Sequence, residues 1–282
     1  MKPEDIFREK SVDDVRAYWN ARPCNLRHSP KPVGSREYFD EVEARKYFVE
    51  PHIPVFAQFT RWAGKRVLEI GCGIGTDTMN FARAGARVTA VDLSDTSLEL
   101  ARQRARMYGL ADRIVFYPAD AERLSETIRP EPYDLVYSFG VIHHTPHPER
   151  VIAQVREHFV GPQSELKLMI YHRNSWKVLW ILLSEGRGAF WKLDELVARN
   201  SEAQTGCPVT YTYTPAGARR LLGGFRVEEM FVDHIFPYRI QDYVRYRYVK
   251  EWRFRMLPKP VFRALERHFG WHLCVTARPF PA

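Results

Sequence analysis

The sequence predicts an α/β fold in which a doubly wound, mostly parallel sheet is covered by helices on both faces. Three observations predict it. Short apolar runs alternate with helical patterns through the middle of the chain, as a parallel sheet buried on both faces requires. The first run, Val67-Leu68-Glu69-Ile70, feeds directly into Gly71-Cys72-Gly73-Ile74-Gly75, and glycines permit the tight reversal from strand to helix. The second run, Val88-Thr89-Ala90-Val91, ends in Asp92, 21 residues after Gly71.

The elements follow in order. After the strand Val67–Ile70, a helix runs from about Thr76 to Ala84 and stops at Gly85. Val88–Val91 is the second strand. Ser94 then caps a helix whose Leu98, Ala101, Ala105 and Tyr108 recur at helical spacing before Gly109. Ile114–Tyr117 is the third strand, with a short helix from Ala121, and Leu135–Ser138 is the fourth. Pro148 opens a helix with Val151, Ile152, Val155 and Phe159 on its apolar face. Leu166–Tyr171 is the fifth strand. Residues 173–213, with Trp176, Trp180, Phe190 and Trp191, read as a helical insertion. Thr214-Pro215 starts the next helix and Gly223-Gly224 ends it. Arg226–Phe236 reads as strand six, 237–269 as a second insertion, and Trp271–Ala277 as the last strand. Residues 1–60 precede this domain, 61–282, as a helical segment expected to act as a lid over substrate.

Alternating glycines let a ligand approach amides that a Cβ would shield, and the helix N-terminus that follows faces the same ligand. A carboxylate at Asp92 suits the two ribose hydroxyls of a nucleoside cofactor. A dinucleotide fingerprint would place glycine at position 76, where this chain has Thr76. Glu69 would also repel a pyrophosphate. A ligand with an amino group, a sulfonium and a single carboxylate tolerates that acid well.

These residues resemble motif I of the class I S-adenosylmethionine (SAM)-dependent methyltransferases. The resemblance extends over roughly residues 60–172, through Asp92-Leu93-Ser94, Asp120-Ala121, Tyr133-Asp134-Leu135-Val136-Tyr137-Ser138 and Val141-Ile142-His143-His144. The His143-His144 variant is common in the group that includes the ubiquinone-biosynthesis-like methyltransferases. The resemblance implies a Rossmann-like sheet of about seven strands with an antiparallel last hairpin. It implies SAM as methyl donor and S-adenosylhomocysteine as product. Glu69 would serve the cofactor's amino group, and Gly71, Cys72, Gly73 and Gly75 its methionine moiety. Asp92 would bind the ribose, Asp120 the adenine amino group with Ala121 beside the ring, and Leu93 and Ser138 complete the set.

Methyl transfer from a sulfonium is an in-line displacement, so the protein mainly aligns the acceptor, excludes water and manages one proton. His143, His144 and His147 lie just beyond strand four, where open α/β sheets collect ligands. His144 is favoured as a base, because the strand-end backbone is expected to occupy His143. Tyr171 ends strand five and is a second candidate for acceptor contact. Arg22, Asn25 and His28 either hold an anionic group of the acceptor or dock the leading segment. Adjacent histidines on a loop point in different directions, so 143, 144 and 147 do not suggest a metal site, and none is expected.

Cys24, Cys72, Cys207 and Cys274 form no C-x-x-C pair, which argues against structural zinc and disulfides and for reduced thiols. A convergence of Cys24, Cys72 and Cys207 for thiol or metalloid chemistry weighs less than three small buried side chains. The N-terminus lacks an apolar core and Val178–Leu183 is too short to span a bilayer, so the expectation is a soluble cytoplasmic protein. Net charge is +8, and nine Lys/Arg against three acids put +6 between Arg239 and Arg267. The rings interleaved there read first as a cap over the acceptor pocket. An acidic small-molecule substrate or an anionic membrane surface, met by Trp252, Phe254, Met256 and Leu257, comes next, and RNA last. The function expected is methylation of an oxygen, nitrogen or sulfur nucleophile on a small or medium metabolite. Alternatives are an RNA or peptide methyltransferase, or a non-catalytic SAM-binding protein.

Overall fold

The computed structural model describes residues 6–204 and 206–280. Three helices lead: α1 (Val12–Ala21), α2 (Arg36–Val49) and α3 (His52–Ala57). Ser11 and Ser35 cap α1 and α2 by accepting from Asp14 and Tyr38 amides. Then come β1 (Arg66–Ile70), α4 (Thr76–Arg83), β2 (Arg87–Asp92), α5 (Asp95–Met107), β3 (Ile114–Pro118), α6 (Leu124–Thr127) and β4 (Tyr133–Phe139). α7 (Pro148–Gln154), β5 (Val160–Tyr171), α8 (Trp176–Ser184), α9 (Leu193–Gln204) and α10 (Pro215–Leu221) follow. The chain closes with β6 (Phe225–Asp233), α11 (Ile240–Tyr243), α12 (Trp252–Arg255), α13 (Lys259–Phe269) and β7 (His272–Pro279).

The strands form one seven-stranded sheet in the order β3-β2-β1-β4-β5-β7-β6. β1 to β5 are parallel, and β7 runs antiparallel between β5 and β6. β1 pairs with β2 on one side and β4 on the other, so the loops leaving β1 and β4 diverge and open a crevice at the carboxyl ends. Val67, Val88, Leu135 and Phe81 belong to one buried cluster, and Leu68, Val136, Leu166 and Val275 to the other. That alternation along each strand is the period of two in a sheet covered on both faces. A satellite core joins Phe7 and Val15 to Ala198 and Val209, so the leading segment packs on the first insertion.

Several boundaries differ from the sequence reading, three of them in the second half of the sheet. β5 begins at Val160, six residues early, because the register shift between Tyr133 and Leu135 absorbs Gly161 to Ser164. There the Ser164 hydroxyl accepts from the Gly161 amide at 2.8 Å. β6 ends at Asp233 rather than residue 236, because His234 turns to φ +73°. β7 continues to Pro279, paired with Phe225. Among the described residues no helix is long and apolar enough to cross a membrane.

Candidate active site

The glycine loop leaves β1 and is tied to β2 through Gly71 and Cys72 amides, which donate to the Val91 carbonyl at 2.8 and 3.0 Å. Gly71 and Gly73 have different reasons to be glycine. At φ +80°, a Cβ on Gly71 would lie 2.2 Å from Val141 Cγ2, so the loop after β4 packs directly on it. At φ +54°, a Cβ on Gly73 would meet nothing within 4 Å, and its open face is where a ligand can reach the backbone. Asp92 closes the loop from the end of β2. Its carboxylate accepts from the Gly73 amide at 2.7 Å and the Ser94 amide at 2.8 Å. Burial raises its pKa while these amide bonds pull the other way.

Glu69 is buried below the loop and accepts from the Thr78 hydroxyl at 2.5 Å. Burial, followed by the charge of Asp77, pushes its carboxyl up to about 8. Ser138 donates to the Ile70 carbonyl at 3.1 Å, stapling β4 to β1. Burial, then the Asp92 and Glu69 charges, raises the Cys72 thiol well above its ordinary value. Leu93, Pro118, Ala119 and Asp120 line a cleft of about 220 Å³ with Arg16 of α1. Asp120 also caps the turn after β3 by accepting from the Glu122 amide at 2.9 Å, and Ala121 packs against the core beside it. Above the cleft, Asn20 Oδ1 accepts from the Ser94 hydroxyl at 2.9 Å and the Thr96 amide at 3.3 Å. The chain end of α1 thus rests on the start of α5.

Three residues that the sequence reading passed over, Asp77, Lys46 and Tyr47, join this site with Tyr137 of the strand-four motif. Asp77, in the first turn of α4, accepts from Lys46 Nζ at 2.8 Å, Tyr47 at 2.9 Å and Tyr137 at 3.0 Å. Burial works against the Lys46 charge, yet Asp77 outweighs it and holds the ammonium above its ordinary value. An acid in the first turn after Gly75 was visible as a helix-dipole partner. Lys46 and Tyr47 lie about 30 residues upstream, and no local pattern links them to it.

Beyond β4, the histidine geometry reverses the sequence argument. His144 is the ring held by backbone: its Nδ1 lies 2.7 Å from the Val209 carbonyl and 3.3 Å from Thr210 Oγ1. His143 is fully buried, and neither of its ring nitrogens has a hydrogen-bond partner. Its ring sits 3.8 Å from that of Tyr171, which in turn stacks on Trp271 at 4.1 Å. Burial, then His144, lowers the His143 pKa well below its ordinary value. Trp19 of α1 covers His144 edge-on at 5.5 Å. His147 lies apart, near Glu149 at the start of α7.

The second insertion lays its tyrosines against α2, Tyr238 and Tyr243 half-buried and Tyr246 and Tyr248 exposed at the edge. The Arg45 guanidinium lies 3.8 Å from the ring centre of Tyr243 and 4.5 Å from that of Tyr246. Phe48 packs on Tyr248 at 4.7 Å, and His28 meets Tyr243 at 6.2 Å. Burial, then Arg45, lowers the His28 pKa to about 3. Phe254 is buried against Trp176 and Phe262, whereas Trp252 and Met256 are exposed. None of the four cysteines is in a disulfide; Cys24 is exposed and the others are buried.

Residues 67–160 match the methyltransferase domain family. A ubiquinone biosynthesis O-methyltransferase of Nitrosococcus oceani is 38% identical over 91 residues, covering 32% of this chain and 37% of that protein. One from Aromatoleum aromaticum is 32% identical over 121 residues, covering 43% and 50%. The chain therefore spans half or less of the length of these curated relatives. Among solved structures, the magnesium protoporphyrin IX methyltransferase of Synechocystis with bound S-adenosylhomocysteine aligns with TM-score 0.59 at 17% identity. It covers 95% of this chain and 100% of that one. A SAM-dependent methyltransferase from Mesorhizobium loti aligns with TM-score 0.53 at 20% identity, covering 80% and 97%. At these identities the structural likeness speaks for the fold. The glycine loop, the matched segment 67–160 and the seven-stranded sheet with its antiparallel last hairpin agree with one another: this part of the chain is similar to the methyltransferase domain, on a Rossmann-like sheet.

Proposed function

We propose that this protein transfers the methyl group of SAM to a nucleophile on a small or medium metabolite. The observation that carries the reading is the open face of Gly73, with Asp92 bonded to its amide and Glu69 buried below. Gly73 offers backbone to the methionine moiety, Asp92 its remaining lone pairs to the ribose, and Asp120 its second oxygen to adenine. Leu93 and Ala121 flank the nucleoside, while Gly71, Cys72, Gly75 and Ser138 shape the loop that holds it. SAM brings the activated methyl group. The chain's own task is to align the acceptor, keep water out and take up one proton.

The proton falls to His143 rather than His144. His143 has two unengaged ring nitrogens beside Tyr171, whereas His144 is fastened to Val209. Tyr171 walls the acceptor side. The relatives' names as O-methyltransferases favour an oxygen acceptor. The packing of Tyr243 and Tyr248 on Arg45 and Phe48 of α2 supports the second insertion as a cap, with RNA or a membrane as the lesser readings.

Incubation with methyl-labelled SAM and fractionated cell extract identifies the acceptor. Label in a small metabolite is the expected outcome; label in RNA or protein, or none in any fraction despite SAM binding, overturns the reading.

A further inference from the structure

A second cluster of chemistry lies on the sheet where β5, β7 and β6 end or begin. His272 opens β7, paired in register with Tyr171 on one side and Asp233 on the other. His234, at φ +73°, swings its ring over His272, with centroids 4.6 Å apart and planes 24° apart. That turn is held on both sides. The His234 amide donates to Asp233 Oδ1 at 2.7 Å, and its carbonyl accepts from the Trp271 amide at 2.7 Å. Glu50, which ends α2, brings Oε1 to 3.6 Å from His272 Nε2. One ligand atom from each of Glu50, His234 and His272 falls within 4.8 Å of the others. On the far side of the His272 ring, His52 Nε2 lies 3.0 Å from Nδ1. His52 is itself 6% exposed, and its Nδ1 has no hydrogen-bond partner.

We propose that Glu50, His234 and His272 form a binding site for a divalent first-row transition-metal ion, oriented by His52. Two imidazole nitrogens and one carboxylate oxygen are the donors that zinc and ferrous ions take in three-ligand sites with an open position. Ligand atoms around a tetrahedral ion lie about 3.4 Å apart at bonds of about 2.1 Å. Side-chain rotations of about 1 Å therefore close the set. His272 binds through Nε2, on the Glu50 side, and its Nδ1–H then donates to His52 Nε2. That is the outer-shell contact that fixes a metal-bound imidazole's tautomer and ring plane.

The placement gives the open position a use. Phe139, at the end of β4, packs against both His52 and His272 at 6.0 and 5.5 Å. The Lys46 ammonium that holds Asp77 lies 5.8 Å from the same ring. Tyr171 stacks parallel to His272 at 6.4 Å. The ion would sit on the acceptor side of the glycine loop, where it binds an anionic oxygen of the acceptor. That use rests on the methyltransferase reading; the ion's binding does not.

The test uses the full chain, stripped with a chelator and titrated with Zn²⁺ by calorimetry and with Co²⁺ by visible absorption. One equivalent bound, with the intense d–d bands of a low-coordinate cobalt site, is expected. Glu50→Gln and His234→Ala should each weaken Zn²⁺ binding by more than about 100-fold, and His52→Gln by about 10- to 100-fold. Circular dichroism and the SAM-induced melting shift monitor the fold and the cofactor site separately. Absence of stoichiometric uptake by the folded wild-type chain overturns the site, whatever the variants do. Undiminished affinity in a folded Glu50→Gln chain overturns the ligand assignment. Loss of metal with the SAM shift intact leaves the methyltransferase reading untouched.

Discussion

Glu69 carries a buried carboxyl whose pKa stands at about 8. A cofactor ammonium placed beside it favours the carboxylate, so SAM binding near pH 7 should release a proton. Affinity should rise with pH, by at most about tenfold per unit, and level off above 8. Calorimetry in two buffers of different ionisation enthalpy measures the proton; buffer-independent heats would remove Glu69 from the cofactor site. Without ligand the sign is opposite. The folded value lies above the ordinary 4.5, so this group's contribution to stability is fully present below 4.5 and is lost as pH rises through 8. The two glycines separate packing from binding. Gly73→Ala adds a Cβ in open space at a left-handed φ, costing about 1–2 kcal/mol, and should weaken SAM binding more than folding. Gly71→Ala drives its Cβ into Val141 and should lower the melting temperature further. Asp92→Ala should erase the melting shift that SAM produces by mass action; a retained shift contradicts the ribose assignment. The motif acids and glycines were legible because their spacing is local. Which of His143 and His144 the backbone engages was not, since the Val209 carbonyl that meets His144 comes from an insertion 65 residues away.

α2 is fastened to α4 and α5 by charge. Lys46 meets Asp77, and Glu43 meets both Arg83 and the fully buried Arg104. Arg104 also donates to Thr76 Oγ1 at 2.9 Å. Lys46→Met leaves the buried Asp77 carboxylate with two hydroxyl donors and no cation. Removing one partner of a buried pair costs about 3–5 kcal/mol, which urea unfolding should read as a lower midpoint at unchanged slope. A loss below about 1 kcal/mol would mean that the pair is effectively solvated. The core strands and capped helices were readable from apolar runs and from Ser94 and Thr214, whose caps are present. The start of β5 was hidden because Gly161-Pro162-Gln163-Ser164 carries turn residues, and only the Ser164 hydroxyl bonding reconciles them with a strand. The end of β6 was hidden because His234 takes a backbone conformation that its residue type does not announce.

Across the whole molecule, six of the ten histidines are buried. Burial lowers the pKa of His52 to about 4 and of His234 to about 3, and those of His143, His172 and His272 in the same direction. The unfolded chain binds protons at these sites near 6.5 while the folded one does not. Their contribution is therefore present above that value and lost as pH falls toward the folded values. Each such group adds up to about 1.4 kcal/mol per pH unit to the slope, so the melting temperature should drop steeply between pH 6.5 and 4. A flat profile across that window would mean the imidazoles are charged in the native state. Nothing local foretold this gathering: Glu50, His52, His234 and His272 reach one place only because β7 lies between β5 and β6 and α2 ends above them.

The first two of the leading helices are held by different chemistry. α2 is anchored through ion pairs buried in the floor beneath the glycine loop, and shifting it would strand charge in a dry interior. α1 meets the start of α5 at Asn20 through neutral contacts, beside the opening lined by Arg16 and Asp120. On the proposed function, a nucleoside bound in that opening is expected to enter and leave past α1, with α2 staying in place. Hydrogen exchange should find the amides of 12–21 trading with solvent well before those of 36–49, and should find SAM slowing the first group more than the second.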